Sequence, residues 1–206
     1  YWKLDEAGGS VVKDSSPSGI SGSYVGNPSF HAPGFNTGDY SVSLNGISQY
    51  LDFGNLIPFQ GNAISLEAEF KTSSVTSSYQ CLFAKPNAYG LFVENGILVS
   101  YDWSNNRESS SGKTVTDGKW HHVVLTFQNG IDNGVLIYLD GQLVWQDKIY
   151  VSNQMLNLQA GANNGNAQFF SGSLAKLAVY NSILSPQRVS AHYNAAVQLT
   201  STQATP

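Results

Sequence analysis

Apolar and polar residues alternate through much of this chain, most clearly between Asp117 and Trp145. Val123, Leu125 and Phe127 alternate with Val124, Thr126 and Gln128, the period of two of a half-buried strand. Asn129-Gly130 and Asn133-Gly134 then break the run with residues that tolerate positive φ. A second run sets Val135, Ile137 and Leu139 against Leu136 and Tyr138. Asp140-Gly141 follows as a two-residue hairpin signal, and Leu143 to Trp145 start the return strand. The pattern predicts a meander of three antiparallel strands, with Trp120 and Trp145 anchoring a core.

Similar runs recur on both sides. Tyr1 to Leu4 reads as a strand with Trp2 and Leu4 on one face, and Val11-Val12 resume after a glycine turn. Tyr40 to Leu44 and Tyr50 to Phe53 flank Asn45-Gly46 as a hairpin. From Ile64 to Thr72, the residues Ile64, Leu66, Ala68 and Phe70 face one way, while Ser65, Glu67, Glu69 and Lys71 form a solvated face. Tyr79 to Ala84, Tyr89 to Glu94, Ile97 to Tyr101 and Leu174 to Tyr180 complete the strands. Between them lie loops rich in Ser, Pro, Gly and Asn, at 14–19, 24–39 and 73–78. Ser185 as N-cap with Pro186 at the first helical position starts a short helix. Gln198 to Pro206 reads as a linker or frayed tail.

Composition narrows the function classes. At 206 residues the chain is expected to fold as one all-β domain, and 41% hydrophobic with 12% aromatic residues supplies a sizeable core. Charged residues make up only 12%, against roughly 25% in typical soluble domains. Such a polar, uncharged surface is associated with secreted and virion proteins. The net charge of -4 and the lack of a basic run argue against nucleic acid. No apolar run approaches the roughly 20 residues of a membrane span, so no membrane insertion is expected. Cys81 is the single cysteine, which excludes an intrachain disulfide, and it reads as a small buried hydrophobe. Tyr1 opens directly on a strand with no signal-peptide pattern, so an excised domain or a processed chain is expected.

The pattern Asp117-Gly118-Lys119-Trp120-His121-His122-Val123, followed by Ile137-Tyr138-Leu139-Asp140-Gly141, resembles the laminin-G-like, concanavalin A-like jelly-roll family. Trp2, Leu4, Asp5, Glu6, Gly9, Asp14, Ser15 and Ser16 also fall on that family's opening pattern, and Asn181 to Ser185 on its ending. The resemblance implies a two-sheet antiparallel jelly-roll sandwich with a short C-terminal helix over residues 1–197, leaving 198–206 as linker or tail. It also implies a structural calcium ion, with Asp14 as the carried-over ligand. The alternative for Asp14 is an Asx turn, its carboxylate capping backbone N–H groups two residues on. The family's other acidic positions are replaced here, in Gly172 to Tyr180 and in Leu44 to Leu51. Since calcium takes about six to eight oxygens, the Asx turn is the reading favoured.

Three other groups could carry chemistry. Tyr101-Asp102-Trp103-Ser104-Asn105-Asn106-Arg107 places an aromatic in a polar turn, where a ring can stack on the C–H face of a sugar. Asn105, Asn106 and Arg107 would serve its hydroxyls, and Asn163 and Asn164 form a second polar tip. Glu67 and Glu69 stand two apart on one strand, about 6.5–7 Å at Cα, compatible with the roughly 5–5.5 Å carboxyl spacing of retaining glycosidases. Jelly rolls related to this family include glucanases with strand carboxylates, but this strand lacks their third acid. His121 and His122 fall on opposite faces by alternation and read as structural. His31 is a lone loop histidine with no second ligand at metal spacing.

The reading is a non-catalytic carbohydrate-binding or adhesion module of a larger extracellular, cell-surface or virion protein. Its expected partners are a glycan or cell-surface polysaccharide and neighbouring domains of the parent protein. Two alternatives stand beside it: a structural or decoration domain without sugar affinity, and a glycoside hydrolase or lyase using Glu67 and Glu69.

Overall fold

The structure is a computed structural model that describes residues 1–55, 63–150 and 155–201, with backbone only from 198. The early strands are β1 (Val11–Val12), β2 (Gly22–Val25), β3 (Ser29–Pro33), β4 (Tyr40–Asn45) and β5 (Tyr50–Asp52). The central ones are β6 (Ala63–Lys71), β7 (Gln80–Lys85), β8 (Tyr89–Glu94), β9 (Ile97–Asp102) and β10 (Arg107–Thr114). They are followed by β11 (Trp120–Gln128), β12 (Val135–Leu139), β13 (Gln142–Asp147), β14 (Gln159–Ala160), β15 (Ser171–Tyr180) and the helix α1 (Pro186–Ser201). Among the described residues they form two antiparallel sheets. One has 8 strands in the order β1-β2-β5-β14-β7-β8-β9-β10, the other 7 in the order β13-β12-β11-β6-β15-β4-β3.

The period of two explains how the sheets pack. Leu66, Phe70, Val123, Leu125, Ile137 and Leu174 of the 7-stranded sheet meet Leu51, Phe83, Leu91, Val93 and Leu98 of the other in one continuous core. The Asp117–Trp145 meander forms as predicted, with Val123 opposite Leu139 and Leu125 opposite Ile137. Asp140 and Gly141 adopt φ values of 51° and 77°, the two successive positive values that a tight right-twisted hairpin requires. Its tryptophans are not the anchors. Trp120 is half-buried beneath the Lys71 ammonium, 5.6 Å from its ring, and Trp145 packs on the core's rim. The buried tryptophan is Trp2, whose ring lies 4.2 Å from that of Phe53. It arrives not on a regular strand but through single bridges to Leu177 and Asp14.

Two further expectations change in three dimensions. β4 and β5 are not a hairpin: β4 pairs with β3 and β15, whereas β5 pairs with β2 and β14 in the opposite sheet. Asn45 Oδ1 accepts the N–H groups of Ile47 (2.9 Å) and Ser48 (3.1 Å), so the turn is locally satisfied whichever sheet the next strand joins. The polar face of β6 is also not solvated. Glu67 and Glu69 are 8% and 3% exposed: α1 brings His192 onto Glu67 and packs Val189, after Leu184, against Val124 and Tyr138, while Lys176 reaches Glu69. Ser185 caps this helix, its Oγ accepting the Arg188 N–H at 3.2 Å. The helix then runs on to Ser201, beyond the boundary drawn at 197, while 202–206 lie outside the described residues.

Candidate functional site

The strands β8 and β9 send Leu91, Val93 and Leu98 into the core and turn Phe92 and Val99 outward. On that outer face Tyr79, Ile97, Tyr101 and Trp103 pack around them. The β9–β10 turn presents Trp103 because the buried Asp102 organises it. Asp102 Oδ1 accepts the N–H groups of Ser104 (3.0 Å) and Asn105 (3.2 Å), and Oδ2 accepts Asn105 Nδ2 (2.7 Å). The Trp103 ring sits edge-on to Tyr101 (5.5 Å) and Phe92 (6.0 Å), which fixes its orientation and leaves it half-buried.

Opposite this aromatic wall stands the turn before β15. Asn163 bridges to Ala167 and donates from Nδ2 to Gln168 Oε1 at 2.7 Å, while its own Oδ1 is buried without a donor. Between the walls lies a cleft of 230 Å³, lined by Tyr79, Phe92, Tyr101, Trp103, Asn106, Asn163 and Gln168. The Tyr101 hydroxyl donates to Asn106 Oδ1 at 2.5 Å.

The fold therefore brings together Tyr101, Trp103, Asn106 and Asn163, which lie some 60 residues apart along the chain. It does not bring Asn105, which braces Asp102, or Arg107, which is spent on Asp147, Ser109 and the Lys148 carbonyl. Asn164 sits exposed in the turn at φ 58° and is not in the lining. Tyr79, Phe92 and Gln168 were missed. Phe92 carried a signal, an aromatic at the outward parity of a strand, whereas Gln168 carried none.

A second cluster lies on the other outer face, beneath α1. Glu67 accepts from His122 Nε2 (2.6 Å) and the Tyr180 hydroxyl (2.6 Å), and His192 Nδ1 lies 3.1 Å from both its oxygens. Burial opposes the charge of Glu67, but the His122 and Tyr180 hydrogen bonds outweigh it and hold its pKa below the usual glutamate value. Glu69 has only Lys176, at 3.3 Å, its Oε2 is orphaned, and burial pushes its pKa up. Lys176 is shared with Asp39 at 2.7 Å, so the lysine that neutralises Glu69 is not its strand neighbour Lys71. Opposite shifts on neighbouring carboxyls suit acid–base pairs. Both carboxyls line a cleft of 290 Å³ beside α1 together with His122, Lys176, Tyr180 and His192, but both oxygens of Glu67 are already committed to its neighbours.

Asp14 sits at the loop after β1. Its Oδ1 accepts the Ser16 N–H (2.8 Å) and its Oδ2 the Ile20 N–H (2.8 Å). Burial works against this carboxylate, yet hydrogen bonds from Ser16, the Tyr1 amino group (3.1 Å) and Ile20 hold its pKa at about 2. The geometry is an Asx turn, with each oxygen capping a backbone N–H. Among the described residues no three His, Cys, Asp or Glu side chains are arranged to hold a metal. His121 and His122 take opposite faces. His121 binds Asp140 (2.8 Å) and Asp117 (3.2 Å), and the Asp140 bond outweighs burial to raise its pKa. His31 stacks on Tyr40 with ring centroids 4.2 Å apart. Cys81 is fully buried.

Solved structures with a similar fold come from longer chains. A Trypanosoma rangeli sialidase in complex with sialic acid superposes with a TM-score of 0.72 at 17% identity, covering 96% of this chain and 33% of that one. The binding domain of Paraclostridial Mosquitocidal Protein 1 gives 0.69 at 12% identity, over 94% of this chain and 51% of that one. The botulinum neurotoxin serotype D binding domain gives 0.68 at 15%, over 94% and 50%. The chain thus spans a third to a half of these neighbours, and at such identities the likeness is one of fold. No curated protein matches by sequence. Residues 45–190, which contain both the meander and the aromatic cleft, match the family described as the concanavalin A-like lectin/glucanases superfamily, and the chain belongs to that family.

Proposed function

We propose that this protein is a non-catalytic carbohydrate-binding module and that the cleft between Trp103 and Asn163 holds the saccharide. The observation that carries the reading is the lining itself: an aromatic wall facing a wall of side-chain amides across a space of 230 Å³. Such a space is smaller than the roughly 300–1,000 Å³ of pockets for drug-sized ligands and suits a single sugar ring. Trp103 supplies the stacking platform, with Tyr79 and Tyr101 beside it. Asn106, Asn163 and Gln168 supply donors and acceptors to ring hydroxyls. The module would serve a larger protein acting outside the cell or at a cell or virion surface. That setting is supported by the sparsely charged composition and by the toxin binding domains that share the fold. No helix among the described residues is long and apolar enough to cross a membrane.

A glycan array screened with wild type and Trp103→Ala tests the reading. Wild type should retain a defined set of glycans, and Trp103→Ala should lose about thirtyfold or more in affinity for them. A screen with no retained glycan would favour a decoration domain without sugar affinity. The hydrolase alternative makes its own demand, the release of reducing ends from β-glucans in a manner abolished by Glu67→Gln. We expect no release from wild type.

A further inference from the structure

We infer that the saccharide taken by this cleft is a neutral one and that carboxylated sugars are turned away. The inference rests on the carbohydrate-binding reading above and sharpens it. It begins with the charges around the lining. No lysine or arginine contributes to it. The nearest guanidinium in sequence, Arg107, is drawn to the sandwich edge by an ion pair with Asp147, and it also donates to Ser109 Oγ and the Lys148 carbonyl, each at 3.2 Å. A carboxylate entering the cleft would shed hydration without gaining a charged donor, which is unfavourable unless a cation replaces the lost water.

The surroundings add repulsion. Register places Glu108 opposite Tyr101 and Glu94 opposite Ile97, so both carboxylates share the outward face that carries the aromatic wall. Glu108 accepts the Tyr79 hydroxyl at 2.8 Å, which sets one carboxylate directly behind a lining ring. Glu94 shares this face with Glu108, and burial together with that neighbouring carboxylate raises its pKa, so the two repel one another as they ionise. A neutral sugar meets none of these penalties. Its hydroxyls both donate and accept, matching side-chain amides that do the same. Its C–H face is what the Trp103 ring stacks upon.

The test is a paired panel of neutral oligosaccharides built from glucose, galactose, mannose and N-acetylglucosamine. Each is matched with a derivative of the same backbone carrying one uronic or sialic acid. Affinities are measured at low ionic strength, where the Debye length exceeds about 10 Å, on wild type and on the double variant Glu94→Gln, Glu108→Gln. Glutamine keeps an acceptor for Tyr79, and melting temperatures check that both proteins are folded. The expected result is that the neutral member of each bound pair is preferred by about tenfold or more, with the gap narrowing in the double variant and with added salt. Equal or tighter binding of the acidic members would overturn the neutral preference while leaving carbohydrate binding intact. A gap that the double variant leaves unchanged would also overturn it. Binding of no member would sink the carbohydrate reading itself, and this inference with it.

Discussion

The two outer faces of the sandwich are built from the same alternation and put to opposite uses. On the 7-stranded sheet the outward residues include Glu67, Glu69 and His122, and α1 covers them. On the 8-stranded sheet the outward residues include Phe92, Tyr101 and Glu108, and among the described residues no helix lies over them. The first face is dominated by charged groups paired with one another, whereas the open face sets aromatics beside the carboxylates Glu94 and Glu108. Buried charges are tolerated because they are paired: Glu67 has His122, His192 and Tyr180, while Lys176 bridges Glu69 and Asp39. On the open face Tyr79, Tyr101 and Trp103 stay half-buried beside the amides of Asn106, Asn163 and Gln168. One face is closed by ion pairs and a helix, and the other is the face on which the proposed saccharide cleft opens.

The largest break in this comparison is expected from Glu67→Ala. It strips the acceptor from two histidines and a tyrosine beneath α1, and it should cost about 3 kcal/mol of stability. Chemical denaturation measures it, and a loss under about 1 kcal/mol would mean that the cluster does not hold the helix. Trp103→Ala on the open face should cost less, about 1–2 kcal/mol, because the ring is packed on one side only. A loss as large as that of a core tryptophan, about 3–5 kcal/mol, would make Trp103 part of the core and remove it from recognition.

Acid should act on the covered face through the same residue. The pKa of Glu67 is lowered by folding, so its stabilisation is complete above the ordinary glutamate value of 4.5 and is lost as pH falls through its folded value. Asp14 adds a further loss as pH falls from 3.8 toward about 2. His121 has the opposite sign: its raised pKa stabilises below 6.5 and is lost as pH rises through the folded value. Unfolding measured across pH should therefore show an acid limb that shrinks in Glu67→Gln and a separate alkaline limb that shrinks in Asp140→Asn.

Smaller effects should follow at the neighbouring carboxylate and at the calcium position. Glu69→Gln should change stability by under about 1 kcal/mol, since burial already disfavours that charge and Lys176 keeps Asp39. If it proves as costly as Glu67→Ala, the two carboxylates act as one unit. Treatment with a chelator should leave the melting temperature unchanged, because Asp14 is already satisfied by Ser16 and Ile20. A drop would put a metal back at that loop.

The sequence by itself determined the meander, the long strands from Ala63 onward that alternate clearly and the N-cap of α1, because a period of two and a Ser-Pro start are local properties that need no partner. β3, inside the stretch read as loop, and the Ser-rich β10 carry no such period. It also pointed to Trp103, an aromatic stranded among turn residues. The tertiary structure alone decided which sheet β5 joins, since Asn45-Gly46 makes a satisfied turn for either outcome. It alone decided that the polar face of β6 is buried, because a polar parity looks the same whether water or a helix 115 or more residues later covers it. The cleft belongs to the same class. Trp103 and Asn163 meet across 60 residues of chain only because β14 and the turn after it return beside β7, and no local pattern encodes that proximity.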